Sequence, residues 1–277
     1  MSAVDPWDPR FAIRSPAFAP LHAFDLSDST EFPDLGALNA LIRRHGPVYS
    51  GGGAPLTAIA PPGRNPGRKP DWRAGYEPRI YRQGHLSTRA NSWHDLFNLL
   101  VWLRFPRTKA QLNALHYQEI ERKAAPAGGA NRTRAQDVLT LFDEGGLVVV
   151  ARDPEWLDLI RRFEWRELFW RRRDVLPANL HFHLFGHALY EKLLRPYAGL
   201  TAKAILLHAP ALFDLTPTAY WPALDRLAAE RWADPALLAS SRTLAPVPFL
   251  GYPGWDANDD PRYYDNSDYF RAGWRRA

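Results

Sequence analysis

Two short stretches of this chain place ionisable side chains where acid–base chemistry could be done. The first is Asn91-Ser-Trp-His94-Asp95-Leu-Phe-Asn98-Leu-Leu-Val-Trp102-Leu103. Here His94 and Asn98 are four residues apart, on one face of a helix, and Asp95 points roughly 100° away. A histidine beside a carboxylate can shuttle protons or hold a metal. The second is Phe185-Gly-His187-Ala-Leu-Tyr-Glu191-Lys-Leu-Leu194, in which His187 and Glu191 share a helical face and could converge on one water or one divalent metal. The spacing is not that of the HExxH zinc motif. His94, Asp95, His187 and Glu191 are therefore the catalytic candidates. Arg89 and Lys109 could receive an anionic group such as phosphate, with Asn91 and Asn98 as further substrate-binding residues. Two secondary features are His181-Phe-His183, whose imidazoles share one strand face, and Asp143-Glu144, two carboxylates that matter if they reach His94 or His187.

The elements that must position these groups follow from periodicity. Trp93, Leu96, Phe97, Leu99 to Leu103 cover every face of the first helix, which should make it the central, buried helix, capped by Asn91 or Ser92. Its polar residues then need hydrogen-bond partners. Because helix N-termini favour anions, the spacing predicts a polar pocket there, lined by Arg89, Asn91, His94 and Asp95, with the His187 helix opposite. Pro106 ends this helix and starts another over 107–123. Further helices are expected over 33–44, 154–173 (one or two), 185–194 and 220–232, and strands over 77–81, 180–182 and 204–208. Val138–Phe142 and Leu147–Ala151, separated by Asp143-Glu-Gly-Gly146, read as a β-hairpin. The sum is an α+β fold: one domain over 33–277 with a central buried helix, surrounding helices and a small antiparallel or mixed sheet. An extended N-terminal arm covers 1–32, and a basic Gly/Pro-rich loop, read as mobile, covers 50–75.

Composition sets limits on function. Cysteine is absent, which excludes thiolate nucleophiles, disulfides and Cys-ligated metal centres. No stretch reads as a signal peptide or a membrane span, so a soluble, cytoplasmic protein that does not engage a membrane is expected. The net charge of +5 is uneven. Residues 43–109 hold twelve Lys/Arg and three Asp/Glu, and residues 251–270 hold five Asp and one Arg. The basic block either pairs with the acidic C-terminal segment, the reading we favour here, or faces an anionic partner. There is no G-x-S-x-G elbow, no Walker A loop and no G-x-G-x-x-G, hence no nucleotide-cofactor motif.

Several motifs together resemble the bacterial domain-of-unknown-function family 3025. They are Thr88-Arg89 with Asn91–Trp102, Phe105-Pro-Arg-Thr-Lys-Ala-Gln-Leu-Asn113, Leu139-Thr-Leu-Phe-Asp-Glu-Gly-Gly146, Phe185–Leu194, and Leu250-Gly-Tyr-Pro-Gly-Trp255 with Tyr263-Tyr-Asp265. The resemblance runs from about residue 16 to 271 and implies one continuous module. It implies no activity.

Three functions are compatible with these residues. The foremost is a hydrolase- or lyase-type enzyme acting on an anionic substrate. A second is a nucleic-acid-binding module using the basic block and its interleaved Tyr and Trp. An echo of ββα-metal nucleases, with His85 preceding Asn98, breaks at Arg107, where a second helical histidine would be needed. The third is a non-catalytic structural or partner-binding protein. Oligomeric state is not legible.

Overall fold

The computed structural model describes residues 5–63, 71–125 and 132–272. Its fold is α+β. Two small sheets are embedded among helices, and the core runs without a break from the N-terminal arm to the C-terminal turns.

The centre is α3, Trp93–Arg104. Every residue from Asp95 to Leu103 is buried, as expected for a helix with no polar face. Ser92, not Asn91, supplies the cap: its hydroxyl accepts from the Asp95 amide. Asn91 instead takes a left-handed φ of 54°, which turns the chain into the helix. Before α3 come α1 (Leu35–His45), β1 (Thr57–Ile59), α2 (Tyr76–Gln83) and β2 (His85–Ser87). After it comes α4, Pro106–Ala124. The N-terminus of α4 is held by buried Asp225, which accepts from the Arg107 and Thr108 amides and the Thr108 hydroxyl.

Two expected strands are helices. Residues 77–81 lie in α2, between Gly75 and the left-handed Gly84, with Pro78 in the first turn, where proline is tolerated. Residues 138–142 lie in α5, Arg134–Gly145, whose N-terminus is a reciprocal capping box between Thr133 and Gln136. There is accordingly no 138–151 hairpin. Helix α5 runs directly into β3, Gly146–Ala151, a strand buried at every position.

Strand β3 is central to a four-stranded sheet that also contains β4 (Leu180–Leu184), β5 (Ala202–His208) and β6 (Ala245–Val247), in the order β4-β3-β5-β6. It pairs antiparallel with β4, Leu147 opposite Leu184, and parallel with β5. Between strands lie α6 (Pro154–Arg161), the single turn α7 (Leu176–Asn179), α8 (His187–Lys192) and α9 (Pro217–Arg231).

The arm packs against α3: Phe11, Phe18 and Leu21 are buried, Trp7 stacks on Trp93 at 5.1 Å, and the Trp93 indole donates to the Asp5 carbonyl. Each such aromatic contributes on the order of 1.5–3 kcal/mol of burial. The segment read as one irregular basic loop contains β1, which pairs in parallel with β2. Its cations Arg64, Arg68 and Lys69 fall outside the described residues. Among the described residues the acidic C-terminal segment makes no ion pair with the basic block. Asp265 pairs with Arg166, Asp259 with Arg173 and Asp260 with Arg262. These arginines are nearer in the fold, on the turns after α6 or in the segment itself. Among the described residues no helix is long and apolar enough to cross a membrane.

Candidate active site

The antiparallel register brings the end of β4 beside the start of β3, so the residues just before β3 and just after β4 meet at one edge of the sheet. The approach is close. The Gly146 carbonyl accepts from the amides of both Phe185 and Gly186, and a Cβ on Gly186 would lie 2.4 Å from the Glu144 carbonyl oxygen. Only glycine allows the two backbones this near. The contact delivers Asp143, from the last turn of α5, to His187, the first residue of α8. Helix α8 packs along α3, which brings in His94.

The result is a four-membered chain. The Asp143 carboxylate lies 3.6 Å from His187 Nδ1, His187 Nε2 is 3.0 Å from His94 Nε2, and His94 Nδ1 is 3.0 Å from the Glu191 carboxylate. The two rings meet edge to face. The chain runs from the interior to solvent: the side chains of His187 and Asp143 are 6% and 16% exposed, those of His94 and Glu191 33% and 45%.

Its protons can be assigned from the bonding pattern. Nitrogens facing each other in a hydrogen bond share one proton, so one Nε2 donates and the other accepts. Burial holds the His187 pKa down at about 4, so this ring is neutral. The hydrogen bond to Glu191, opposed by burial, raises that of His94. When His94 is protonated it donates from both nitrogens, and His187 accepts at Nε2. That places the His187 proton on Nδ1, facing Asp143. This nitrogen is buried and has no partner at hydrogen-bond distance, and a small closure toward Asp143 would satisfy it.

Asp143 is held by a second network. Lys109 Nζ donates to it at 2.5 Å and to Asn98 Oδ1 at 2.8 Å. Burial would raise the Asp143 pKa, but it is opposed chiefly by the Lys109 ammonium and the pKa is lowered. With its oxygen on Lys109, Asn98 turns its NH₂ to the Tyr76 hydroxyl at 2.7 Å. The Tyr76 ring is open to solvent, whereas burial of its hydroxyl pushes that pKa well above the usual value. The phenol therefore remains protonated, with its own proton free to donate.

These groups line a cavity of about 430 Å³ that includes Tyr76, Arg89, His94, Asp95, Asn98, Asp143 and His187. The sequence candidates divide within it. His94 and His187 meet directly. Glu191 engages His94 at Nδ1, the nitrogen opposite the one that meets His187. Asp95 is a positioning group: its carboxylate takes Nε and Nη2 of Arg89 and the Arg89 amide. Arg89 remains 62% exposed in its side chain, with Nη1 directed at no carboxylate among the described residues. Two candidates are placed differently from expectation. Lys109 is only 4% exposed and fully engaged inside the fold, so it faces Asp143 and not a ligand. Asn91 lines a neighbouring cleft on the other side of Arg89. His181 and His183 face the Tyr220 hydroxyl, at 2.9 and 2.7 Å, away from this cavity.

Six lining residues were not singled out from sequence: Pro61, Tyr76, Glu77, Ser87, His116 and Thr140. Tyr76 and Glu77 were hidden by the strand expectation for 77–81, and Thr140 by the hairpin. A helical reading of 134–145 would have put Thr140 and Asp143 on one face. His116 follows Asn113 by three residues on α4 and carried no local signal. Among the described residues no group of three or more His, Asp or Glu side chains could hold a metal.

A model of a protein family of unknown function matches residues 67–274. The chain belongs to the DUF3025 family. The match covers α2 to the C-terminal turns, and with them every residue of the His–His chain. No curated protein and no solved structure matches this DUF3025 chain.

Proposed function

We propose that this protein is a hydrolase- or lyase-type enzyme in which His94 and His187 move a proton for a small polar substrate bearing an anionic group. The observation that carries the reading is the carboxylate–imidazole–imidazole–carboxylate chain, which begins at a buried ion pair, sets Asp143, His187 and His94 on the wall of one cavity and ends at the more exposed Glu191. Perturbed titrations in opposite senses on two touching histidines are characteristic of acid–base sites. A purely structural histidine needs no such gradient from interior to solvent.

In this scheme Asp143 orients His187, and His187 steadies the His94 imidazolium. Both nitrogens of His94 are engaged, so a substrate must replace one partner. Glu191, the more exposed, is the replaceable one. The substrate then meets the His94 Nδ1–H as a general acid, and His94 acts as base once that proton is transferred. Arg89 Nη1 would receive the anionic group and the Tyr76 hydroxyl a developing negative charge. Only one group of low charge fits, because Glu77, Asp143 and Glu144 also line the cavity. A divalent metal at the two facing imidazoles would need a third ligand from the substrate or solvent.

The test is a turnover screen over phosphate esters, carboxylic esters and β-substituted acids, with wild type, His94→Gln and His187→Gln. Turnover lost by about a hundredfold or more in both variants, with thermal stability of His94→Gln retained, is the expected result. Turnover unaffected by either substitution defeats the reading. The nucleic-acid alternative rests on the basic block alone. Within it Arg79 donates to Ser87 and the Ala74 carbonyl, and Arg89 to Asp95, so fewer cations are open than the sequence suggests. Salt-sensitive binding of RNA or DNA with no turnover would favour it.

A further inference from the structure

A second cavity, of about 580 Å³, lies at the opposite end of α3 from His94. The helix rises about 1.5 Å per residue, so the two sites are roughly 15 Å apart along it. The walls are mainly alanine, proline, Leu103 and Trp221, with His22, exposed Arg107 and buried Asp225 among them, and the partly buried charge that faces the cavity is Arg104, the last residue of α3.

Arg104 is partly buried, and its guanidinium lies between two aromatic faces, 4.6 Å from the Trp221 ring centre and 5.1 Å from that of Phe24. These contacts fix the plane of the fork. Its Nε donates to the Pro20 carbonyl, and no bond to either Nη is made among the described residues. No carboxylate among them pairs with it. The nearby carboxylate, Asp225, is saturated by the start of α4. The groups that do feel Arg104 are His45 and His183, and its charge disfavours their protonation. Burial without a counter-ion also lowers the pKa of Arg104 itself. The carbonyls at the C-terminus of α3 offset part of this charge, and the rest is uncompensated.

A partly desolvated, pre-oriented cation facing an apolar cavity is the arrangement expected for a ligand's anionic group, since burial without a partner is costly. We propose that this cavity binds a small amphiphilic monocarboxylate, its carboxylate on the Nη edge of Arg104 and its hydrocarbon part against Trp221 and the proline-rich wall. A single fork with Nε already engaged offers a two-nitrogen edge, which matches the two oxygens of a carboxylate. Arg107 lines the same cavity but is exposed, and the Asp225 carboxylate lies there too, so the one cation fixed between aromatic rings suits a singly charged group better than a multiply charged phosphate. This site is independent of the acid–base reading above.

The test is titration of the full chain with 4-phenylbutyrate, its uncharged amide and inorganic phosphate, followed by calorimetry and by the Arg104 side-chain NMR signals. The expected result is saturable binding of the acid at millimolar concentration or below, with the amide weaker by about 10- to 100-fold. Arg104→Gln should bind acid and amide alike. No saturable binding of the acid, equal binding of acid and amide by wild type, or phosphate binding as tightly as the acid would each overturn the proposal. So would acid binding that leaves the Arg104 signals unmoved, a readout that does not depend on the variant folding.

Discussion

Lowering the pH from about 7.5 to about 5 should destabilise this protein while the carboxylates around His187 and His94 stay ionised. His187 is buried and neutral, with a pKa of about 4 in the folded state, and would titrate near 6.5 when unfolded. A histidine with a lowered folded pKa contributes its full stability above the unfolded value. The contribution falls as pH drops toward the folded value, by up to about 1.4 kcal/mol per pH unit. At about pH 5 the loss from His187 is therefore about 2 kcal/mol. His183, pushed down to about 3 mainly by burial, acts in the same direction and contributes at most a similar amount, because its ring keeps some solvent contact. His94 has the opposite sign. Its raised pKa adds stability that is fully present below about 6.5 and is lost as pH rises through the folded value. Asp143, Asp95 and Glu191 have lowered values, so their contributions persist until the pH falls below the ordinary carboxylate range. The interval from about 6.5 to about 5 thus isolates the buried imidazoles, around which Asp143, Lys109 and His94 face His187. Urea unfolding across that interval should show a loss of about 2–4 kcal/mol, roughly half of it removed in His187→Asn. Stability that is level or rises on acidification, or an unchanged slope in the variant, would refute the placement of a neutral His187 in the interior.

Two further outcomes follow from the same geometry. Lys109→Met strands a buried carboxylate and should cost about 3–5 kcal/mol, while Lys109→Met with Asp143→Leu should recover much of it. Additive losses in urea unfolding would show that the pair is not coupled. Gly186→Ala drives a Cβ to 2.4 Å from the Glu144 carbonyl oxygen and 2.5 Å from the Gly146 nitrogen, both of them backbone. It should cost about 1–3 kcal/mol and shift the NMR titration of His94, and unchanged stability and titration would count against the close crossing.

The sequence revealed elements whose burial pattern is one-sided or complete. Helix α3 was legible because every face is apolar, and the polar residues it carries were legible as a site for that same reason. Short segments were not. Residues 138–142 are apolar enough for a strand, and only the Thr133–Gln136 cap, a local hydrogen-bond device, distinguishes them from one. Misreading that segment left Asp143 a conditional candidate, since a hairpin tip and a helix C-terminus aim a carboxylate in different directions. The partnership of His94 and His187 was a guess at the level of opposing walls. Their contact spans 93 residues and is set by the β3–β4 register, which no local pattern encodes. Lys109 shows the converse failure, because a lysine in the first turn of a helix reads as exposed until its buried acceptors are known.

The arm and β1 bear on where this molecule can be divided. The family match begins at residue 67, after the arm, α1 and β1. Yet Phe11 and Phe18 lie against Phe97, Trp7 covers Trp93, and β1 is the partner of β2 in its sheet. A chain cut at the edge of the match would bare an aromatic face on its central helix and leave β2 with an open edge, both of which invite self-association. The matched span is thus shorter than the span of the continuous core, and the first sixty residues act as an intramolecular partner to the rest.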